Sequence, residues 1–256
     1  MNQAIIAVPL ILGLIIILTI YEMPFIYDNA YVKTVELNED SSIIAVSDLH
    51  LESNTRDLNC IGNYIRSINQ DNNIYLIING DLFDRAHGQS LSQSHIHELI
   101  HRLNLTSIGS LREVIYVMAM YDHDPRVNYG EVHYEINGVS IKAIHGVLRV
   151  VMGNNTYWFL HGDYIVKNGL IASLMNKLLN GAYDRLVRFT INAKTGAKAT
   201  DWIVIGHTHV PGVNRGLRIV NTGSWIDRFV NATDTAIMID GLGNVELNRI
   251  KCDLPD

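Results

Sequence analysis

Apolar residues along this chain gather in short unbroken runs that end at polar, glycine-bearing junctions. Ser42 to Val46, Ile74 to Ile78, Val114 to Ala119, Tyr157 to Leu160 and Trp202 to Ile205 are runs of this kind. They predict strands buried on both faces, the pattern of parallel strands covered by other layers. Between them the apolar spacing turns helical. Leu58, Ile61, Ile65 and Ile68 form one stripe in a helix from Thr55 to Ile68, and a second helix is predicted from Leu91 to Leu105. A third helical stretch, Asn168 to Val187, carries a wide face of Leu170, Ile171, Leu174, Met175, Leu178 and Leu179, interrupted by Gly181. A core-facing helix pair is the default for it, and a lipid-facing or substrate-covering cap is the sharper alternative. Alternation marks the remaining strands. Val132 to Ile136 and Ser140 to Val150 flank Asn137-Gly138 as a hairpin. Leu217 to Val220, Thr235 to Asp240 and Val245 to Ile250 read as strands of a second sheet, with a turn at Asn221 to Trp225. Tyr27 to Glu39 reads as a connector. The class is α/β.

One run is longer than any strand needs. Ala4 to Ile20 carries no charge, close to the roughly 20 apolar residues that span a bilayer. No Lys or Arg precedes it, and Ile20-Tyr21-Glu22-Met23-Pro24 offers no small-residue cleavage site. A single-pass N-terminal membrane anchor is therefore expected rather than a signal peptide or a buried helix. The chain divides into an anchor and its flank, 1–26, and one domain, 27–256, with a helical insertion around 165–199. Flanking charges do not set which side of the membrane the domain occupies. The 256 residues suffice for one large domain. A net charge of −6 and a pI near 6.0 argue against a surface built to neutralise nucleic-acid phosphates. Cys60 and Cys252 pair only if the fold brings them together, and free packed thiols are the expectation.

Chemistry-bearing residues cluster where the apolar runs stop. The junctions are Asp48-Leu49-His50, Gly80-Asp81-Leu82-Phe83-Asp84, Asp122-His123-Asp124, His161-Gly162-Asp163 and Gly206-His207-Thr208-His209. In an extended backbone residues two apart share a face, so Asp48 with His50, and His207 with His209, converge as ligands of one ion would. Asp81 sits at a sheet's carboxyl edge, where open α/β sheets bind ligands. Other histidines read more plainly. His97 and His101 belong to a solvated helix face, and His145-Gly146 lies within the hairpin. Arg185, Arg188, Lys194 and Lys198 are local candidates for clamping a phosphate, although a solvated helix face explains them equally well.

The five junctions, each after an apolar strand and in this order, resemble the calcineurin-like metallophosphoesterase superfamily from about Ser42 to Trp225. The resemblance implies two facing mixed β-sheets flanked by helices, an αββα sandwich. It implies that Asp48, His50, Asp81 and His209 hold one divalent ion and that Asp81, Asp122, His161 and His207 hold another. Mixed imidazole and carboxylate donors suit Mn first, then Fe or Zn. By the same resemblance His123 serves the departing oxygen, Asp124 orients His123, and Asp84 and Asp163 are outer partners of the ligands. The family has Gly-Asn-His-Asp where this chain has Tyr121-Asp122-His123-Asp124, so a charged ligand replaces a neutral amide. The run Phe159 to Asp163, a helical insertion and Gly206 to His209 are also similar to UDP-2,3-diacylglucosamine pyrophosphohydrolases. Together these imply a dinuclear hydrolase of phosphodiester or pyrophosphate bonds on a small-molecule, nucleotide-linked or lipid-linked substrate. The alternatives are a non-catalytic scaffold of the same fold that binds a protein partner and, among enzymes, a phosphomonoesterase or nuclease.

Overall fold

The computed structural model describes residues 21–23, 31–68, 73–84, 86, 88–121, 123–127, 130–227 and 231–252. The expected anchor over 4–20 and the candidate ligand Asp122 lie outside the described residues. Among the described residues no helix is long and apolar enough to cross a membrane.

Two mixed sheets face each other. The seven-stranded sheet has the order β13-β12-β2-β3-β4-β6-β5. Its centre is parallel: β2 (Ser41–Val46), β3 (Asn73–Asn79), β4 (Leu111–Val117) and β6 (Val139–His145). Antiparallel strands close both sides, β5 (Gly130–Ile136) on one and β12 (Thr235–Ile239) with β13 (Val245–Arg249) on the other. The six-stranded sheet has the order β1-β7-β8-β9-β11-β10. It comprises β1 (Val32–Leu37), β7 (Val147–Met152), β8 (Asn155–Leu160), β9 (Trp202–Ile205), β10 (Gly212–Asn214) and β11 (Ile219–Asn221).

Strand alternation divides the core into layers. Ile43, Ala45, Ile77, Ile115 and Ile237 of one sheet meet Leu148, Val150, Phe159 and Val204 of the other. Their neighbours Ile44, Val46, Leu76 and Ile78 point the opposite way, onto Ile61 and Ile65 of α1 (Asn59–Ser67) and Ile96, Leu99 and Ile100 of α2 (Gln93–Arg102). On the far face, Leu160, Ile203 and Ile205 pack with Ala172 of α3 (Gly169–Leu178) and Tyr183, Val187 and Ile191 of α4 (Ala182–Thr195). The result is the expected four-layer αββα sandwich.

Several expectations change. The stretch read as a connector contains β1, which pairs parallel with β7; its alternating burial marks an edge strand with one face in water. Ser140 to Val150 is two strands. The chain leaves one sheet at His145 and enters the other at Val147, so His145-Gly146 is a sheet-to-sheet crossing rather than mid-hairpin. Gly146 (φ 152°) is needed there, because a Cβ would lie 2.2 Å from the Tyr31 carbonyl oxygen. The three late strands do not share a sheet: β11 joins β9, while β12 and β13 extend the sheet of β2. Cys60 and Cys252, expected free, form a disulfide that ties α1 to the segment after β13. Their separation of 192 residues hid a Cα–Cα distance of 5.2 Å.

Helix α3 also departs from the core-facing default. Leu170, Ile171, Leu174 and Leu178 are exposed, as is Leu179 at its end, and Ala172 is its only fully buried residue. The nearby arginines are structural. Arg188 donates to the carbonyl oxygens of Leu217, Asp201 and Arg218, and Arg185 to those of Asn180 and Leu179. Neither guanidinium is arranged as a phosphate clamp.

Candidate metal centre

Strands β2 and β3 run parallel, and the loops after them stay paired: Asp48 N–H donates to the Gly80 carbonyl, His50 N–H to that of Asp81 and Leu51 N–H to that of Leu82. This pairing sets Asp48 and His50 beside Asp81. The loops are not extended, however. Asp48 (φ 54°), His50 (48°), Asp81 (49°), His123 (26°), His207 (80°) and His209 (57°) all lie on the left-handed side of the backbone map. Left-handed turns, rather than strand alternation, aim these side chains inward. Asp and His are among the residues that enter this region more readily than most. Such a concentration of strained residues is typical of functional sites.

Side chains from both sheets converge here. Asp48, His50 and His209 form one cluster, and Asp81, His161 and His207 a second, with ligand atoms within 4.8 Å of one another in each. Asp81 lies between them: its Oδ2 is 3.7 Å from His50 Nε2 and its Oδ1 3.4 Å from His161 Nε2. His209 Nε2 is 3.2 Å from Asp48 Oδ1. A third group, His50, Asp84 and His123, shares His50 with the first.

Outer partners fix the rings. The imidazole of His50 shares a 2.9 Å hydrogen bond between Nδ1 and Asp84 Oδ1, and that of His161 donates from Nδ1 to the Asn79 carbonyl at 2.9 Å. His207 Nε2 donates to the Val166 carbonyl at 2.8 Å, which leaves Nδ1 as its ligand atom. Asp84 therefore does stand behind a candidate ligand, while Asp163 instead accepts from the N–H groups of Met120 and Tyr121 and shapes the loop that leads to Asp122. Asp124 does not hold His123. Its two oxygens accept from the backbone N–H groups of Asp81, Leu82, Phe83 and Ala119. The ring of His123 stands edge-on to His50 at 5.1 Å, and its Nδ1 is 3.2 Å from the Asp84 carbonyl oxygen.

Sequence reasoning missed Asn79. Its amide donates to the carbonyls of Leu160 and Val204, sewing the end of β3 to the ends of β8 and β9 in the other sheet. No periodicity signals such a contact. Gly80 (φ 81°) allows it, because a Cβ there would lie 2.3 Å from the His161 ring.

The electrostatics follow from burying so many charges. Burial opposes ionisation of Asp48 and Asp81, yet His209 holds the first carboxyl below its ordinary range and His161 the second well below it. Burial also opposes protonation of His161, but Asp81, Asp163 and Asp48 lift it well above the usual imidazole value. His207 goes the other way, pushed down to about 4 by burial and by His161. Burial, with Asp81 nearby, pushes Asp124 up to about 6.

The donor set fits divalent cations. His50 Nε2, His161 Nε2 and His209 Nδ1 are buried ring nitrogens without a hydrogen-bond partner. A buried polar atom left so costs about 1–3 kcal/mol, and a cation in each cluster would satisfy His50 and His161 directly. His97 and His101 remain on the solvated face of α2 and join no such cluster among the described residues.

No family model matches the chain, and no curated protein matches it. Among solved structures it is similar to a conserved uncharacterized protein, a predicted phosphoesterase, from Streptococcus pneumoniae (15% identity, 80% of this chain and 92% of that one, TM-score 0.34). It is also similar to wild-type Vps29 complexed with zinc from Entamoeba histolytica (12% identity, 83% and 99%, TM-score 0.38). A Thermotoga maritima protein solved by NMR gives 14% identity, 82% and 99% coverage, and a TM-score of 0.35. Superpositions this loose carry no argument about activity, which rests on the geometry of the site itself.

Proposed function

We propose that the chain is a metal-dependent phosphoesterase of the calcineurin-like type, working on a phosphodiester or pyrophosphate bond. The observation that carries this reading is Asp81, whose two carboxylate oxygens face histidines of two separate clusters. One divalent ion would be held by Asp48, His50, Asp81 and His209, and a second by Asp81, Asp122, His161 and His207. Mn is the first expectation, with Fe and Zn as alternatives. When bound, such ions supply charge neutralisation for phosphoryl oxygens and a water made acidic enough to react near neutral pH.

The chain's own residues do the rest. Asp84 and the Asn79 carbonyl keep His50 and His161 with Nε2 facing inward. The hydrogen bond from His123 Nδ1–H to the Asp84 carbonyl leaves Nε2 as the atom that hands a proton to the departing oxygen. Asp124 acts through the loop it holds, keeping the backbone around Asp81 in its left-handed turn.

The substrate class we favour is a small-molecule or lipid-linked phosphate ester, with the N-terminal run as a membrane anchor. The disulfide supports a catalytic domain on the oxidising side of that membrane, because cytosolic thiols are kept reduced. Hydrolysis of bis-p-nitrophenyl phosphate with added Mn²⁺, compared between wild type and Asp81→Asn, tests the enzyme reading. Turnover in wild type that is lost in the variant is expected. Bound metal without turnover of any phosphate ester would favour the scaffold reading instead.

A further inference from the structure

Five consecutive residues, Val166 to Leu170, connect the candidate metal centre to two other features. Val166 accepts the hydrogen bond of His207. The backbone N–H of Lys167 donates to the Glu22 carbonyl at 2.8 Å, and its Nζ lies 3.9 Å from the Tyr21 ring and 4.9 Å from that of Tyr121. Asn168 caps α3 by accepting from the N–H groups of Leu170 and Ile171. Gly169 touches the His207 backbone so closely that a Cβ would lie 2.4 Å from its carbonyl oxygen. Met23 adds to the partly buried residues under the α3 and α4 layer.

Tyr21 and Glu22, which follow the apolar run 4–20 in the sequence, are thus fastened at the start of α3, next to the site. There α3 presents Leu170, Ile171, Leu174 and Leu178 to solvent, with Leu178 71% exposed. Their spacing at i, i+1, i+4 and i+8 puts them on one side of the helix. Helices that lie in a bilayer interface show such a face. We propose that this face of α3 lies in the bilayer surface beside the anchor, so that the metal centre, which adjoins the start of α3 through His207, lies close to membrane-borne substrates. The occupant of the face is lipid. This placement depends on the proposed anchor, because Tyr21 and Glu22, held at the start of α3, directly follow it in the sequence.

The test uses the full-length chain reconstituted in vesicles of phosphatidylethanolamine and phosphatidylglycerol. Both native cysteines are in the disulfide, so a Leu174→Cys variant takes an environment-sensitive fluorophore at one site. Leu242→Cys is the control. It is 86% exposed, and its neighbour Gly241 packs against Glu39 just before β2, at the opposite end of the sheets from Asp48. Vesicles doped with nitroxide-labelled lipid should quench the label at 174 strongly and leave that at 242 unchanged. Flotation of the protein with the vesicles reports the anchor separately. Flotation without quenching at 174 overturns the inference and leaves the anchor standing. A blue-shifted but unquenched label at 174 also overturns it, because the chain's own segment or a second copy then covers the face. Failure to float overturns both.

Discussion

Replacing Asp124 by Asn separates two roles that a strand-end carboxylate beside a histidine can play. In the structure Asp124 Oδ1 accepts from Leu82 N–H at 3.0 Å and Phe83 N–H at 3.2 Å, and Oδ2 from Asp81 N–H at 3.1 Å and Ala119 N–H at 2.8 Å. An asparagine keeps one acceptor and turns an NH₂ group toward the other pair of donors. Two buried N–H groups then lose their acceptor, at about 1–3 kcal/mol each. Removing a buried charge beside Asp81, which helps raise Asp124 to about 6, returns part of this. The net loss should be about 2–4 kcal/mol, which for a domain of this size lowers the melting temperature by roughly 5–15 °C. Thermal unfolding of the full-length protein in detergent, followed by circular dichroism after chelation, measures it without a metal contribution. A melting temperature within about 2 °C of wild type, with activity nevertheless lost, would refute the structural role and restore a direct one at His123.

Further expectations follow from the same contacts. His123→Ala should slow hydrolysis by about 10²–10⁴-fold, and less for p-nitrophenyl than for alkyl leaving groups, because a good leaving group needs no proton; equal losses across leaving groups would count against proton transfer. Breaking the disulfide with Cys60→Ser and Cys252→Ser should cost roughly 2–5 kcal/mol for so long a loop, read as a shifted denaturant midpoint, and an unchanged midpoint would contradict this. Metal affinity should rise with pH through and above the ordinary imidazole range. His161, raised by Asp81, must lose its proton to bind, whereas His207, lowered to about 4, is already neutral. Calorimetric titration in buffers of different ionisation enthalpy counts the released protons, and pH-independent affinity would oppose the assignment.

Much of this architecture was legible in the chain because burial on both faces leaves unbroken apolar runs, as in Ile74 to Ile78 and Trp202 to Ile205. The edge strand β1 was not, since Val32-Lys33-Thr34-Val35-Glu36-Leu37 shows one face to water and reads as a connector. The junction residues stand out in the sequence as metal-ligand types, but strand alternation is not what brings them together. Asp48 and His50 meet through left-handed turns held by pairing with the β3 loop, a tertiary arrangement that strand periodicity cannot express. The partners of Asp124, the inter-sheet contacts of Asn79 and the approach of Cys252 to Cys60 all depend on distant segments. Helix α3 shows the limit of the apolar-inside rule: its leucine face is real but points outward.

If Asp81 joins two cations as proposed, its carboxylate places them within reach of each other's spins. Electron paramagnetic resonance of the Mn²⁺-loaded full-length protein reads that arrangement, since ions sharing a carboxylate bridge couple their spins. A coupled dimanganese spectrum in wild type, reduced to the isolated-ion pattern or lost in Asp81→Asn, is the predicted result. An isolated-ion spectrum in wild type at saturating Mn²⁺ would rule out a bridge at Asp81.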